Sequence, residues 1–370
     1  MEYIPVNNPI IGEIEKKKLI ECIDSGWISS EGPQVSEFEN KFSSYVNRKY
    51  GIAVSSGTAA LDIAVAALDI KDGDEVILPT FSIISCSAAV VRAGAKPVLV
   101  DSQIDTWNID VDAIESKITS KTKAIMVVHT YGLPSDINPI IQLSKKYGIF
   151  IIEDAAEMHG QTYLGKKCGS FGNISTFSFY PNKHITTGEG GMIVCDDKSL
   201  AEKCRSFRNL CFQKEKRFVH EEIGWNYRIT NLQAALGLAQ MTRLQDNIKR
   251  KREIGLRYRD NLNKNKNLIL QTDQTSYSKN IYWVFGVIIK EEVKENALTF
   301  MNYLKKSGIG SRPFFWPVHK QPVFLKKKWF NNEKYPVSEF MSVNGFYLPS
   351  GLTLTNKQID YVSSKVENFF

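Results

Sequence analysis

The sequence predicts an α/β protein with a large mixed-sheet domain followed by a smaller α+β domain. Short runs rich in Val and Ile alternate with helix-like stretches through the first two-thirds of the chain. These runs are continuously apolar rather than alternating, as expected for strands buried on both faces of a mainly parallel sheet. The pattern changes near residue 245, and a length of 370 residues suits one large and one smaller domain, divided as 1–245 and 246–370.

In chain order, the strand-like runs are Ile52–Val54, Glu75–Leu78, Pro97–Val100, Ala124–Val128 and Phe150–Ile152. Helical stretches such as Ala59–Ala67 and Pro139–Lys146 lie between them. A long charged segment from about Asn231 to Asn261 reads as one connecting helix or a helix pair. Beyond it, Tyr282–Ile289 is strand-like, Leu298–Lys306 helix-like, and Lys357–Phe369 a closing helix. No repeat or low-complexity tract interrupts this order.

Composition excludes several classes. The net charge of +7 is not gathered into one basic patch, which argues against a nucleic-acid partner. The densest stretches, Glu15–Lys18, Lys214–Arg217, Lys249–Arg252 and Lys326–Lys328, read as solvated faces and loops. A positive potential also suits an anionic substrate such as a nucleotide sugar. The six cysteines fit neither a zinc site nor a disulfide framework, so we expect no metal and free thiols in a reducing compartment. The start, Met1-Glu2-Tyr3-Ile4-Pro5, lacks the basic and apolar regions of a signal peptide, and no apolar run is long enough to span a bilayer. The expectation is a cytoplasmic protein without a membrane partner.

Ligands of open α/β sheets bind beyond the carboxyl ends of the strands. Polar clusters follow predicted strands at Ser55-Ser56-Gly57-Thr58, His129-Thr130-Tyr131-Gly132, Glu153-Asp154 and Ser178 to Lys183. In the first, small hydroxyl residues and a glycine open a helix, which suits either a phosphate cradle or a plain N-cap. In the third cluster, the carboxylate pair Glu153-Asp154, adjacent strand residues face opposite ways, so only one can enter a given site. Such a carboxylate needs a cation or several donors, for example a protonated pyridine nitrogen, or it serves as a helix cap. Around Lys183, Gly188, Gly190 and Gly191 signal a tight turn or close backbone approach. An ordinary lysine, with a pKa of about 10.4, is a poor nucleophile at neutral pH. Burial at the top of a sheet lowers that value. His184 points away from Lys183 in an extended segment and reads as structural. The motifs of zinc proteases, serine hydrolases, P-loop ATPases and dinucleotide-binding dehydrogenases are missing.

Together these residues resemble the DegT/DnrJ/EryC1/StrS family of sugar aminotransferases. The likeness runs from Ser25-Gly26-Trp27-Ile28-Ser29-Ser30 through Ser55–Leu61, His129–Pro134, Glu153–Glu157 and Thr176–Gly191. It continues with Gly224–Arg228 and Arg312-Pro313-Phe314-Phe315, and ends with Leu348-Pro349-Ser350. The resemblance implies the aspartate aminotransferase-like architecture (fold type I) and a pyridoxal 5'-phosphate (PLP) cofactor that alternates with pyridoxamine phosphate. It implies that Lys183 binds PLP covalently and relays the proton, and that Asp154 partners the pyridine nitrogen. Ser56, Gly57, Thr58 and Ser178 would contact the phosphate, and Glu157 would lie near the cofactor hydroxyl. Asn226 would reach the phosphate across a homodimer interface, giving shared active sites. Candidate substrate contacts are Trp27, Ser29, Arg312 and His319. The strings Thr176–Lys183 and Arg312–His319 are most like those of enzymes that move an amino group from L-glutamate to C4 of GDP-4-keto-6-deoxymannose.

Two departures stand out. Family members usually carry an aromatic ring where this chain has Ile83, which would pack on the cofactor as an aliphatic side chain instead. A dehydratase branch replaces the lysine with histidine; here Lys183 keeps its spacing to Gly188 and His184 follows it, against that branch. The remaining alternatives are an aminotransferase for another nucleotide sugar or a small phosphorylated ketone, and a non-enzymatic PLP-binding regulator.

Overall fold

In the computed structural model, which describes residues 2–213 and 215–370, seven strands form the main sheet. Met1 and Lys214, which belong to the N-terminal and basic stretches read above, lie outside the described residues. The first strands are β1 (Tyr50–Val54), β2 (Glu75–Pro79), β3 (Lys96–Val100), β4 (Thr122–Val128) and β5 (Phe150–Asp154). A small hairpin, β6 (Thr162–Tyr163) and β7 (Lys166–Lys167), precedes β8 (Ile174–Ser178) and β9 (Gly191–Cys195). The sheet order is β1-β9-β8-β5-β4-β2-β3. Pairs β2–β3, β2–β4, β4–β5 and β5–β8 are parallel, while β9 runs antiparallel to both β8 and β1. The physical reason for the exception is that no helix separates β8 from β9, so the chain returns at the end where it left. The loop carrying Lys183 therefore hangs over the carboxyl ends of the parallel strands.

Helices Gly57–Ala67, Ile84–Arg92 and Ile137–Tyr147 cover the sheet between successive strands. The last ends at Gly148, whose φ of 66° gives the left-handed turn that glycine tolerates. Residues such as Ile52, Leu78, Met126 and Ile152 on one face, and Ile77, Ile125 and Ile151 on the other, are buried, which explains the non-alternating apolar runs.

The charged segment after residue 230 is a helix pair, Asn231–Met241 and Leu244–Leu262. Thr230 and Gln233 cap the first reciprocally. Four strands, β10 (Leu268–Leu270), β11 (Phe285–Ile289), β12 (Arg312–Pro313) and β13 (Gly345–Leu348), then build an antiparallel sheet ordered β10-β11-β13-β12. Helices Ala297–Lys306 and Asn356–Glu367 pack on it through Phe300, Leu304 and Val362.

Three sequence expectations are corrected. Strand β11 starts at Phe285 rather than Tyr282, because Tyr282 has a φ of 52°, outside the extended region. Ile4, placed with the first domain, is buried among Phe300, Leu304 and Phe346 and bridges Ile309, so the N-terminal residues join the second layer. Two of the charged runs are not wholly solvated. Lys251 is buried on the inner face of helix Leu244–Leu262, donating to the carbonyls of Trp283 (2.9 Å) and Ser350 (2.6 Å). Glu15 is buried against Arg243, Oε1 to Nε 3.2 Å. Both are stems of helices whose one face meets the core.

Candidate active site

The ends of β1, β4, β5 and β8 open into a cleft of about 390 Å³, lined by residues that include Ser56, Gly57, Thr58, Asp154, Glu157, Ser178 and Lys183. Four sequence clusters thus meet in one place, as the strand-end argument requires.

Asp154 ends β5 and faces the cleft, buried. Its Oδ2 accepts from the Cys86 thiol at 3.1 Å and its Oδ1 from the Ala156 N–H at 3.1 Å. Burial raises its pKa above the usual carboxylate value, and these two donors only partly oppose that shift. Glu153, one residue earlier, points to the other side of the strand. It accepts from the N–H groups of Gly169 (2.5 Å), Phe171 (3.0 Å) and Gly172 (3.3 Å), and from Ser175 Oγ (3.0 Å). His129 adds an Nε2 contact at 3.1 Å; its Nδ1 accepts from Ser135 N–H, so Nε2 carries the proton. Burial would raise the Glu153 pKa, yet His129 and the amides hold it below the ordinary value. One carboxylate is therefore a satisfied structural anchor and the other lacks a cation. His129, Glu153 and Cys168 offer ligand atoms within 4.8 Å of one another, but the Glu153 oxygens already serve these donors.

Lys183 is buried, with Nζ 3.6 Å from Glu157 Oε1 and 3.9 Å from the centroid of the Trp283 ring. Burial lowers its pKa; Glu157 and Asp154 oppose the shift. Glu157 accepts from Tyr131 N–H at 2.7 Å, and burial lifts its pKa to about 7 against the pull of Lys183. Burial thus acts in the direction that nucleophilic attack on a carbonyl requires, towards the free amine.

The capping expectation is met at Ser56. Its Oγ caps helix Gly57–Ala67 by accepting from Ala59 N–H at 3.1 Å, and the residue also lines the cleft. A Cβ on Gly57 would come within 2.8 Å of Ser178 Cβ, and one on Gly191 within 2.4 Å of Ser56 O. Only glycine lets these three segments close around the helix N-terminus, where free N–H groups and the dipole favour an anion. The cleft also exposes Thr176 Oγ1, a buried hydroxyl without a hydrogen-bond partner. A glycine-lined helix N-terminus, a buried carboxylate and a lysine whose pKa burial lowers together fit PLP.

Other expected residues are placed differently. Ile83 lines the cleft. Arg312 is exposed on β12, in register with the cleft residue Tyr347. His319 does not reach the cleft: it is buried, its Nδ1 2.8 Å from Thr80 Oγ1 and its Nε2 2.9 Å from Glu339 Oε1. With both nitrogens engaged, it is corrected from a substrate contact to an anchor of the second layer. Trp27, Ser29 and Asn226 stand away from this chain's cleft. Asn231 holds the Trp27 and Ser29 carbonyls (2.7 and 2.8 Å), and the exposed Asn226 accepts from Arg228 Nε at 2.9 Å. His184 faces the core beside His159, ring centroids 5.9 Å apart, consistent with a structural residue.

Sequence reading missed Cys86, Trp283 and Tyr347. Cys86 follows the end of β2, so counting that strand end would have found it. Trp283 meets the Lys183 loop from a hundred residues away, and no local pattern signals it.

Comparison with known proteins gives the family. The DegT/DnrJ/EryC1/StrS aminotransferase family pattern matches residues 9–367. GDP-perosamine synthase of Escherichia coli O157:H7 is 42% identical over 100% of this chain and 99% of its own. GDP-perosamine synthase of Vibrio cholerae is 38% identical over 99% of both chains. The crystal structure of an aminotransferase from Psychrobacter cryohalolentis superposes with a TM-score of 0.93 at 28% identity, covering 100% of this chain and 98% of that one.

Proposed function

Because the chain belongs to the DegT/DnrJ/EryC1/StrS aminotransferase family, we propose that it moves an amino group from L-glutamate to C4 of GDP-4-keto-6-deoxymannose, yielding GDP-perosamine. It is a PLP-dependent sugar aminotransferase, and its substrates are a nucleotide-linked sugar and an amino donor. The choice of GDP sugar is supported by full-length identities of 38–42% to three GDP-perosamine synthases. Its product would serve O-antigen synthesis for lipopolysaccharide.

The observation that carries the reading is the pairing of a buried Lys183 amine with the buried Asp154 and Glu157 carboxylates beside a glycine-lined helix N-terminus. Lys183 would hold the cofactor; Gly57, Thr58, Ser56 and Ser178 would hold its phosphate; Asp154 would keep its ring nitrogen protonated. Bound there, PLP supplies an electron sink for the carbon that loses its proton. Lys183 Nζ would take that proton and return it, and burial lowers its pKa in the direction such a base needs. Glu157 would hold the cofactor hydroxyl, and Ile83 would cover the ring with an aliphatic face.

We place the shared site in a homodimer. Ser29 and Asn226 lie beside a groove lined by Ser30, Asn209 and Arg228, Asn226 bridging Asn209. Asn226 of the partner subunit would complete the phosphate site. The six buried free thiols suit a reducing, cytoplasmic setting. No helix of the described residues is long and apolar enough to cross a membrane.

The test begins with the absorbance of the PLP-loaded protein. L-Glutamate alone should convert the lysine-bound cofactor band to that of pyridoxamine phosphate. GDP-4-keto-6-deoxymannose should then restore the first band and yield an amino sugar by mass spectrometry. Amination of dTDP- or UDP-linked keto sugars in preference would reassign the substrate, and no response to glutamate would reassign the donor.

A further inference from the structure

Lys183 has a specific neighbour that the reaction scheme leaves unexplained. Its Nζ lies 3.9 Å from the centroid of the Trp283 ring and 3.6 Å from Glu157 Oε1. The same indole donates from Nε1 to the carbonyl of Asn182, the residue before the lysine, at 2.8 Å. One side chain thus holds both the backbone and the amine of the lysine segment.

The chain takes unusual measures to aim this ring. Tyr282, directly before it, sits at a φ of 52°, and its N–H donates to Asn280 Oδ1 at 2.7 Å. A bulky residue in the left-handed region is strained, and such strain persists where surrounding structure over-determines it. That surrounding structure is visible. A Cβ on Gly255 would come within 2.2 Å of the Tyr282 ring, and one on Gly132 within 2.7 Å of Trp283 N. Lys251, buried, spends its ammonium on the Trp283 and Ser350 carbonyls.

We propose that Trp283 is a positioning residue for Lys183, its indole face and the Glu157 carboxylate forming the seat that the amine occupies whenever it is not joined to the cofactor. This rests on the reading of Lys183 as the PLP lysine. An amine on a flexible four-carbon stem has many places to go once released. In a buried site its obvious competitor for rest is Asp154, the group needed by the cofactor ring nitrogen. An amine 3.9 Å from the indole centroid and 3.6 Å from Glu157 Oε1 is held by both groups, the ring quadrupole acting on the positive charge that the amine carries when protonated. The amine then starts each transfer from one place, which is the source of rate in an oriented reaction.

The test compares Trp283→Leu, which removes the ring, with Trp283→Phe, which keeps a ring face but loses the N–H. Cofactor-free protein is mixed with PLP and the capture rate followed by the lysine-bound band; glutamate is then added and its limiting rate and apparent Kd measured separately. Trp283→Leu should slow capture and the limiting rate by about tenfold or more, with the glutamate Kd within about twofold of wild type. Trp283→Phe should stay within about threefold in both rates. Should the Leu variant fail to fold, Trp283→Met takes its place with the same expectation. Wild-type rates in the ring-less variant, or equal slowing in Trp283→Phe, would overturn the role of the ring face. If the wild type forms no band, or Lys183→Ala forms it as well, the Lys183 reading falls and this inference with it; a normal wild-type band separates the two failures.

Discussion

Asp154 and Glu157, three residues apart in the chain, both have pKa values raised by burial and serve different ends. Burial raises both pKa values, but Asp154 has two modest donors and no cation, whereas Glu157 has the Lys183 amine. Asp154→Asn keeps the size and shape, so the protein should stay folded. It cannot hold a positive ring nitrogen, and the glutamate half-reaction should slow by about 10²-fold or more in single-turnover absorbance. Glu157 yields a pH prediction for the cofactor-free protein. Its pKa is about 7 in the folded protein, against the ordinary glutamate value of 4.5. Between those limits the unfolded chain has lost the proton that the folded chain still binds, so stability is fully present below 4.5 and falls as pH rises towards 7. The loss is up to about 1.4 kcal/mol per pH unit. Glu157→Gln cannot ionise, so its Tm advantage over wild type should grow from pH 5 to pH 8; a constant difference would refute the shift.

At the level of elements, the site depends on glycines that let segments touch. Gly132 has a φ of 115°, and a Cβ there would lie 2.7 Å from Asn280 Oδ1 and from the backbone nitrogens of Tyr282 and Trp283. It is the contact between the turn after β4 and the segment that delivers Trp283 to the cleft. Gly132→Ala should destabilise the protein by about 2 kcal/mol or more in urea unfolding, because strain and overpacking add. The helix Gly57–Ala67 makes the corresponding contact with β8. Gly57→Ala, with its Cβ 2.8 Å from Ser178, should weaken PLP binding by about tenfold or more, measured by titration of the lysine-bound band, while changing Tm little.

The whole molecule raises the question of the shared site. In one chain Lys183 lies in the cleft, while Asn226 is exposed and bridges Asn209. If Asn226 of the partner subunit completes the phosphate site, two damaged chains can repair each other. Lys183→Ala should be inactive, and Asn226→Ala should bind PLP poorly. Mixing them through a dissociation and reassociation step should build one intact site per mixed dimer, with activity above the sum of the two. Activity no higher than that sum would place Asn226 outside a shared site.

The α/β class and the strand ends that gather the cleft were legible from residues near one another in sequence, whereas the roles expected of Asp154 and Lys183 rest on the family resemblance. Period, turn glycines and caps are local properties, and a strand end is marked by the polar residue that follows it. Which of Glu153 and Asp154 faces the cleft was not legible, because adjacent strand residues alternate and only packing against the neighbouring strands chooses the face. The burial of Lys251, the engagement of His319 by Thr80 and Glu339, and the arrival of Trp283 at Lys183 were likewise invisible. Each joins segments far apart in the chain, where burial and partner are properties of the packed molecule and leave no periodic trace in the residues that bring them about.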